Sequence, residues 1–240
     1  MLELTRSGDV FTLTMTAGEN RWNTTFVRAF ASVLDEVEAS SGPAALVTTS
    51  ASEKFYSNGL DLDWVRDPAA HPAAGEREPF ADEFMKLMAR VITFPVPTIA
   101  AINGHAFGAG FMFALCHDLR HMRADRGFIC ANEMQLGLAI PTPELALFRH
   151  KLSVDVFFET VQLARRWTGP DGLAKGIVQA VAPGDSLLPN AQRKAAELAP
   201  LGMNRALYRE QKERLFGENA VLNGPHGAAH MLRNLDHYGH

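Results

Sequence analysis

An α/β fold with a largely parallel sheet is the class this sequence predicts, and three observations predict it. Short apolar runs fit for strands alternate with longer segments of helical periodicity up to about Pro141. From Pro143 onward the pattern is mostly helical. The chain has 240 residues, 47% hydrophobic and 21% charged, the composition of an ordinary globular protein of one large domain or a domain with an appendage.

The elements follow in order. Residues 10–15 alternate apolar and polar side chains, as a half-buried strand does. A loop over 17–20 leads to Asn23, placed to cap a helix whose apolar face is Phe26, Phe30, Val33, Leu34 and Val37. Gly42-Pro43 stops that helix. Residues 45–49 read as a buried strand, and 55–62 as a short strand breaking at Gly59. The stretch from Arg66 to Pro79 is rich in Pro, Ala, Gly and charge and reads as a mobile loop. Phe80, Phe84, Leu87, Met88 and Val91 stripe the next helix, which Pro95 and Pro97 end. A strand over 98–102 runs into a glycine turn and then an apolar helix over 111–116. Residues 119–122 and 127–130 read as further strands. Helices are expected over 144–151, 154–166 and 172–175, with two more between Pro189 and Phe216.

Charge and cysteine usage narrow the function classes. A net charge of -4 and a pI near 6.1 argue against a broad nucleic-acid surface. Two cysteines, Cys116 and Cys130, point to a reducing compartment without a disulfide framework or zinc module. Residues 1–9 do not read as a signal peptide, and no apolar run reaches the length of a membrane span. The expectation is an intracellular protein with no membrane and no nucleic-acid partner. The last residues are not a Ser-Lys-Leu address, which leaves peroxisome, mitochondrial matrix and bacterial cytoplasm open.

Three segments carry the candidate chemistry. Gly59 allows a sharp turn that presents the N–H of Leu60. Gly108-Ala109-Gly110 opens a helix and presents the N–H of Ala109 with the helix dipole behind it. Two such donors suit a developing oxyanion. Glu133, between Asn132 and Met134-Gln135-Leu136, is a lone carboxylate in an apolar and amide-rich stretch, as a general base needs. Together they suggest proton transfer next to a carbonyl. The glycine run is spaced G-x-x-x-G-x-G, not as a dinucleotide fingerprint. Cys116, His117, Asp118 and His121 match no specific metal pattern.

These segments resemble the enoyl-CoA hydratase/isomerase family, the crotonase superfamily. The run Phe55-Tyr56-Ser57-Asn58-Gly59-Leu60-Asp61-Leu62 is similar to its first oxyanion-hole segment, and residues 99–118 to its second. The resemblance implies a ββα spiral core over 1–185, holding the catalytic and CoA sites, and a helical trimerisation region over 186–240. It implies Leu60 and Ala109 as oxyanion donors and Glu133 as the catalytic carboxylate. It implies that Ser57, Asn58, Gly59, Asp61, Leu62, Gly108, Gly110 and Met112 line the substrate path. The hydratases of the family carry a second glutamate where this chain has Met112, and Met cannot activate water. The likeness is therefore to the Δ3,Δ2-enoyl-CoA isomerases, which residues 132–137 and 140–152 also resemble. The implied activity is transposition of a 3-enoyl-CoA double bond to the 2-trans position, in unsaturated fatty acid degradation. No cofactor is implied, since coenzyme A enters with the substrate. A homotrimer or dimer of trimers is implied as well. Lys54 and Arg21 are candidate cations for the CoA phosphates. Enoyl-CoA hydration, another reaction of the family with Asp61 or Glu144 as second carboxylate, or non-catalytic acyl-CoA binding are the alternatives.

Overall fold

The computed structural model describes residues 1–67, 79–217 and 226–238. Most of the expected loop over 66–79 lies outside the described residues. The chain opens on an antiparallel hairpin, β1 (Leu2–Ser7) and β2 (Val10–Met15), with Leu4 opposite Leu13. β1 was not among the expected strands; its alternation is short and exposed on one face. Helix α1 (Thr24–Ala39) is capped by Asn23, whose side chain accepts from the N–H of Phe26. Strands β3 (Ala45–Ser50) and β4 (Phe55–Ser57) follow, then α2 (Leu62–Arg66) and α3 (Phe80–Ile92). Next come β5 (Thr98–Ile102), β6 (His105–Phe107), α4 (Ala109–Cys116), β7 (Leu119–Arg123) and β8 (Ile129–Cys130).

The remainder is mostly helical: α5 (Thr142–Lys151), α6 (Val154–Val161), α7 (Gly169–Ala174), then β9 (Ala180–Ala182), α8 (Gly184–Leu198), α9 (Arg205–Phe216) and α10 (Ala228–Arg233). Two helix expectations need correction. The helix expected over 154–166 ends at Val161, because Ala164 turns to φ +47° and Trp167 pairs with Ile129. The helix expected after Pro189 begins at Gly184 and carries Pro189 near its start.

The fold is α/β, as expected, with two sheets. The larger runs β1-β2-β3-β5-β7-β9 and is parallel from β2 onward. Alternate residues of its strands serve two layers. Phe11, Leu13, Leu46, Ala100 and Ile102 join the main core with α1, α3 and α4, whereas Val10, Ala45, Val47, Ile99 and Ala101 pack with Leu187, Ala191 and Ala195 of α8. Covering both faces is why β3 and β5 are buried at every position.

The smaller sheet, β4-β6-β8, is parallel throughout. It sets three strand ends side by side, and the segments leaving those ends form the site.

Candidate active site

Each strand of the small sheet ends in one of the three segments singled out in the sequence. Asn58-Gly59-Leu60 follows β4, Gly108-Ala109 follows β6, and Asn132-Glu133 lies just beyond β8. The carboxyl ends of parallel strands are where α/β proteins place ligands.

The first segment is held by Trp22. Its N–H donates to the carbonyl of Gly59 (2.9 Å), and the N–H of Asp61 donates back to the carbonyl of Trp22 (2.9 Å). In such a parallel bridge the intervening residue turns its own N–H the other way. Leu60 thus points its N–H away from Trp22; the residue lines the cavity, and among the described residues that N–H has no acceptor. Gly59 adopts φ +78°, and a Cβ there would stand 2.8 Å from the Phe107 carbonyl oxygen and 3.6 Å from the Ala109 nitrogen. Only glycine lets these two turns close on each other.

The second segment starts α4. The N–H groups of Phe111 and Met112 both donate to the Gly108 carbonyl (2.9 and 3.0 Å), and the Gly108 N–H donates to the Cys130 carbonyl (2.9 Å). The Ala109 N–H is left as an orphan donor of the helix start, again without an acceptor among the described residues. Gly108 sits at φ +50°, ψ -121°, and a Cβ on it would meet Glu133 Oε1 at 2.9 Å.

Glu133 begins a 3-10 turn, Glu133–Leu136, closed by Gly137 at φ 71°. Its Oε2 is buried with no hydrogen-bond partner, and burial raises its pKa above the usual glutamate value. The cavity, about 330 Å³, is walled by Leu60, Leu62, Phe107, Leu136 and Leu138, with Arg21, Asp63 and Arg66 also lining it. A carboxylate with Oε2 unpartnered thus shares one cavity with Leu60 and Ala109, whose N–H groups have no acceptor among the described residues, an arrangement able to move a proton beside an oxyanion.

A model of the enoyl-CoA hydratase/isomerase family matches residues 6–231. The chain belongs to that family. In Arabidopsis thaliana, the peroxisomal enoyl-CoA delta isomerase 2 is 31% identical over 229 residues, covering 93% of this chain and 95% of that one. Enoyl-CoA delta isomerase 3 of the same plant is 34% identical over 184 residues, covering 76% and 77%. The fold matches an enoyl-CoA hydratase/isomerase family protein from Pseudomonas syringae at a TM-score of 0.81 and 23% identity, over 98% of this chain and 96% of that one. Proteins of this family act on acyl-CoA thioesters, and among the described residues no helix is long and apolar enough to cross a membrane.

Against this family pattern the expected site residues divide into two groups. Asn58, Gly59, Leu60, Leu62, Gly108, Ala109 and Glu133 line the cavity together. Ser57, Asp61, Gly110 and Met112 do not line it. Ser57 is buried and donates to the Asn20 carbonyl (2.7 Å). Gly110 presses against Ser57, where a Cβ would come within 2.4 Å of the carbonyl oxygen. Asp61 caps α2 by accepting from the Trp64 N–H (3.2 Å). Met112 is wholly buried, as are its neighbours Phe111 and Phe113. Of the candidate cations, Arg21 lines the cavity and is paired with Glu19 and Asp63, whereas Lys54 lies over the Phe55 ring at 5.0 Å.

Two contributors escaped the sequence reading. Arg66 is a cavity cation that composition had merged into the following loop. Asn20, buried at φ 51°, donates to Ser50 Oγ (2.7 Å) and the Tyr56 carbonyl (3.0 Å), fastening the loop that carries Trp22 to β3 and β4. An Asn in the loop over 17–20 was the available signal, since Asn tolerates the left-handed region.

Proposed function

We propose that this protein is a Δ3,Δ2-enoyl-CoA isomerase working with Glu133 as a single proton shuttle. The observation that carries the reading is the Glu133 carboxylate, unpaired at Oε2 and seated against Gly108 beside the N–H groups of Leu60 and Ala109. The thioester oxygen of a 3-enoyl-CoA accepts hydrogen bonds from those two N–H groups. Glu133 takes a proton from C2, and the electrons of that C–H bond spread over a dienolate whose charge rests on the held oxygen. The same proton returns from Glu133 to C4, and the double bond lies between C2 and C3. Atoms and charge balance without a redox partner or metal. The raised pKa of Glu133 suits a group that must both take and release a proton near neutral pH.

Supporting the isomerase over the hydratase reading, Met112 stands where the resemblance places the second glutamate of hydratases, and it is buried away from the cleft. Leu60, Leu62, Phe107, Leu136 and Leu138 on the cavity wall offer no group that could activate a water. Among the described residues, Arg21 and Arg66 are the cations that line the cavity, and so the candidates for the CoA phosphates. Assembly into trimers follows from the resemblance, and exposed Val154, Phe158 and Leu163 are apolar surface such an assembly would cover.

The test is turnover of a 3-enoyl-CoA beside hydration of a 2-enoyl-CoA, with wild type and Glu133→Gln. The expected outcome is isomerisation with little hydration, falling by about 10²–10⁴ in the variant. Dominant hydration, or a variant that keeps its rate, would overturn the reading.

A further inference from the structure

Cys116, His117, Asp118 and His121, which match no metal pattern in the sequence, are parted by the fold. His117 bonds to Thr48 and Phe113, and Asp118 pairs with Lys212. His121 goes elsewhere. On β7 it stands in register with Ala101 of β5 and Ala180 of β9. Residues in register on neighbouring strands share a face of the sheet, and Ala101 packs in the α8 layer. His121 therefore lies between the sheet and α8, on the face away from the main core. It is only 7% exposed, and its Nδ1 is buried with no hydrogen-bond partner. A buried polar atom left unpaired is costly, and a ligand that pairs with it removes that cost.

His121 also lines a cavity of about 440 Å³ between the β7–β9 end of the sheet and α8. It shares no lining residue with the cavity of Glu133. Leu187, Asn190, Lys194 and Glu197 recur at helical spacing, so one face of α8 forms the opposite wall, with Arg193 beside them. The charges of that wall are unequal. Glu197 is taken by Lys194 at 2.9 Å. Arg193 makes no ion pair or hydrogen bond among the described residues, and the Asn190 amide makes no hydrogen bond among them. Burial, and then the charge of Lys194, lower the His121 pKa, so the ring is neutral and carries one N–H. One cavity thus joins a buried imidazole from the sheet to an unanswered guanidinium and a free amide from the helix.

We propose that this cavity binds a small molecule bearing a phosphate group, at a site separate from the acyl-CoA cleft. Arg193 and Lys194 supply the positive charge, and the Asn190 amide and the His121 imidazole supply further donors. These groups come from two sides, β7 and α8. A tetrahedral phosphate presents acceptor oxygens in every direction and suits donors so arranged, whereas a planar carboxylate suits a single fork. The cavity is larger than a bare phosphate ion, so an organic phosphate has room as well.

Calorimetric titration of the full chain with inorganic phosphate and with glycerol 3-phosphate tests this, with acetate as the carboxylate comparison. Imidazole NMR signals report on His121, assigned with His121→Gln. The expected result is saturable binding of one equivalent, a shift of the His121 signals and little binding of acetate. Tighter binding of inorganic phosphate identifies the free ion as the ligand, and tighter binding of glycerol 3-phosphate an organic ester; either supports the site. Arg193 is exposed, so Arg193→Ala should leave the circular dichroism spectrum unchanged while weakening binding about tenfold or more. Arg21→Ala should leave phosphate binding intact. The proposal is overturned if neither phosphate binds, if acetate binds as tightly, or if Arg193→Ala changes nothing. Binding lost in Arg21→Ala also overturns it, since the anion then sits in the acyl-CoA cleft.

Discussion

Glu133 and Ala109 are the residues on which the proposed chemistry turns, and each would act through something it lacks. Glu133 lacks a partner at Oε2, so its charge stays available and its pKa stays high. The Ala109 N–H lacks an acceptor because it opens α4, where no earlier carbonyl of the helix can reach it. This permits a selective substitution. Proline is well tolerated at the first position of a helix, so Ala109→Pro deletes the donor while sparing α4. The expected result is a fall of about 10²–10³ in kcat with an unchanged circular dichroism spectrum. Gly108 tolerates less. An alanine there would combine a strained φ with a methyl 2.9 Å from Glu133 Oε1, so the carboxylate must move.

Among the elements, the β4-β6-β8 sheet aligns the strand ends and α4 supplies the donor of the proposed oxyanion hole, while α9 anchors the end of α4 from outside. Asp118, just after α4, pairs with Lys212 of α9 at 2.8 Å and accepts from the Thr98 N–H at 2.9 Å. The Lys212 side chain is only 6% exposed. Removing one member of so buried a pair strands the other, at about 3–5 kcal/mol. Lys212→Met should lower the denaturation midpoint accordingly, and Asp118→Asn in the same chain should recover part of the loss. A double-variant loss equal to the sum of the two single-variant losses would show that the pair is not coupled.

At the scale of the whole molecule, a buried chain of hydrogen bonds ties β3 and β4 to α4. His117 Nδ1–H donates to the Phe113 carbonyl (3.0 Å), so its Nε2 accepts from Thr48 Oγ1 (2.9 Å), and Thr48 accepts from the Tyr56 hydroxyl (2.7 Å). Burial holds His117 neutral, lowering its pKa to about 3 from an ordinary 6.5. Between those values the unfolded chain binds a proton that the folded chain refuses, so stability falls as pH drops from 6.5 toward 3. The melting temperature should decline over that window, and His117→Gln should flatten the decline.

The fold class was legible in the sequence because burial on two faces writes continuous apolar runs and helices write a stripe. The runs at β3 and β5 and the stripes of α1 and α3 are of that kind. β6, β8 and β9 are two or three residues long and leave too little pattern to read reliably. β6 was absorbed into the glycine turn. Helix ends after residue 150 were misjudged because long-range pairing, such as Trp167 with Ile129, overrode local periodicity. The candidate site's glycines and Glu133 could be picked out in the chain, since only certain residue types meet those backbone and charge demands. Which of them share a cleft could not be. Ser57, Asp61, Gly110 and Met112 stand within a few residues of cavity-lining positions and yet are turned to packing and capping. Residue type sets what a group can do, but distance and desolvation set whether it does, and both arise only when separate strands end side by side.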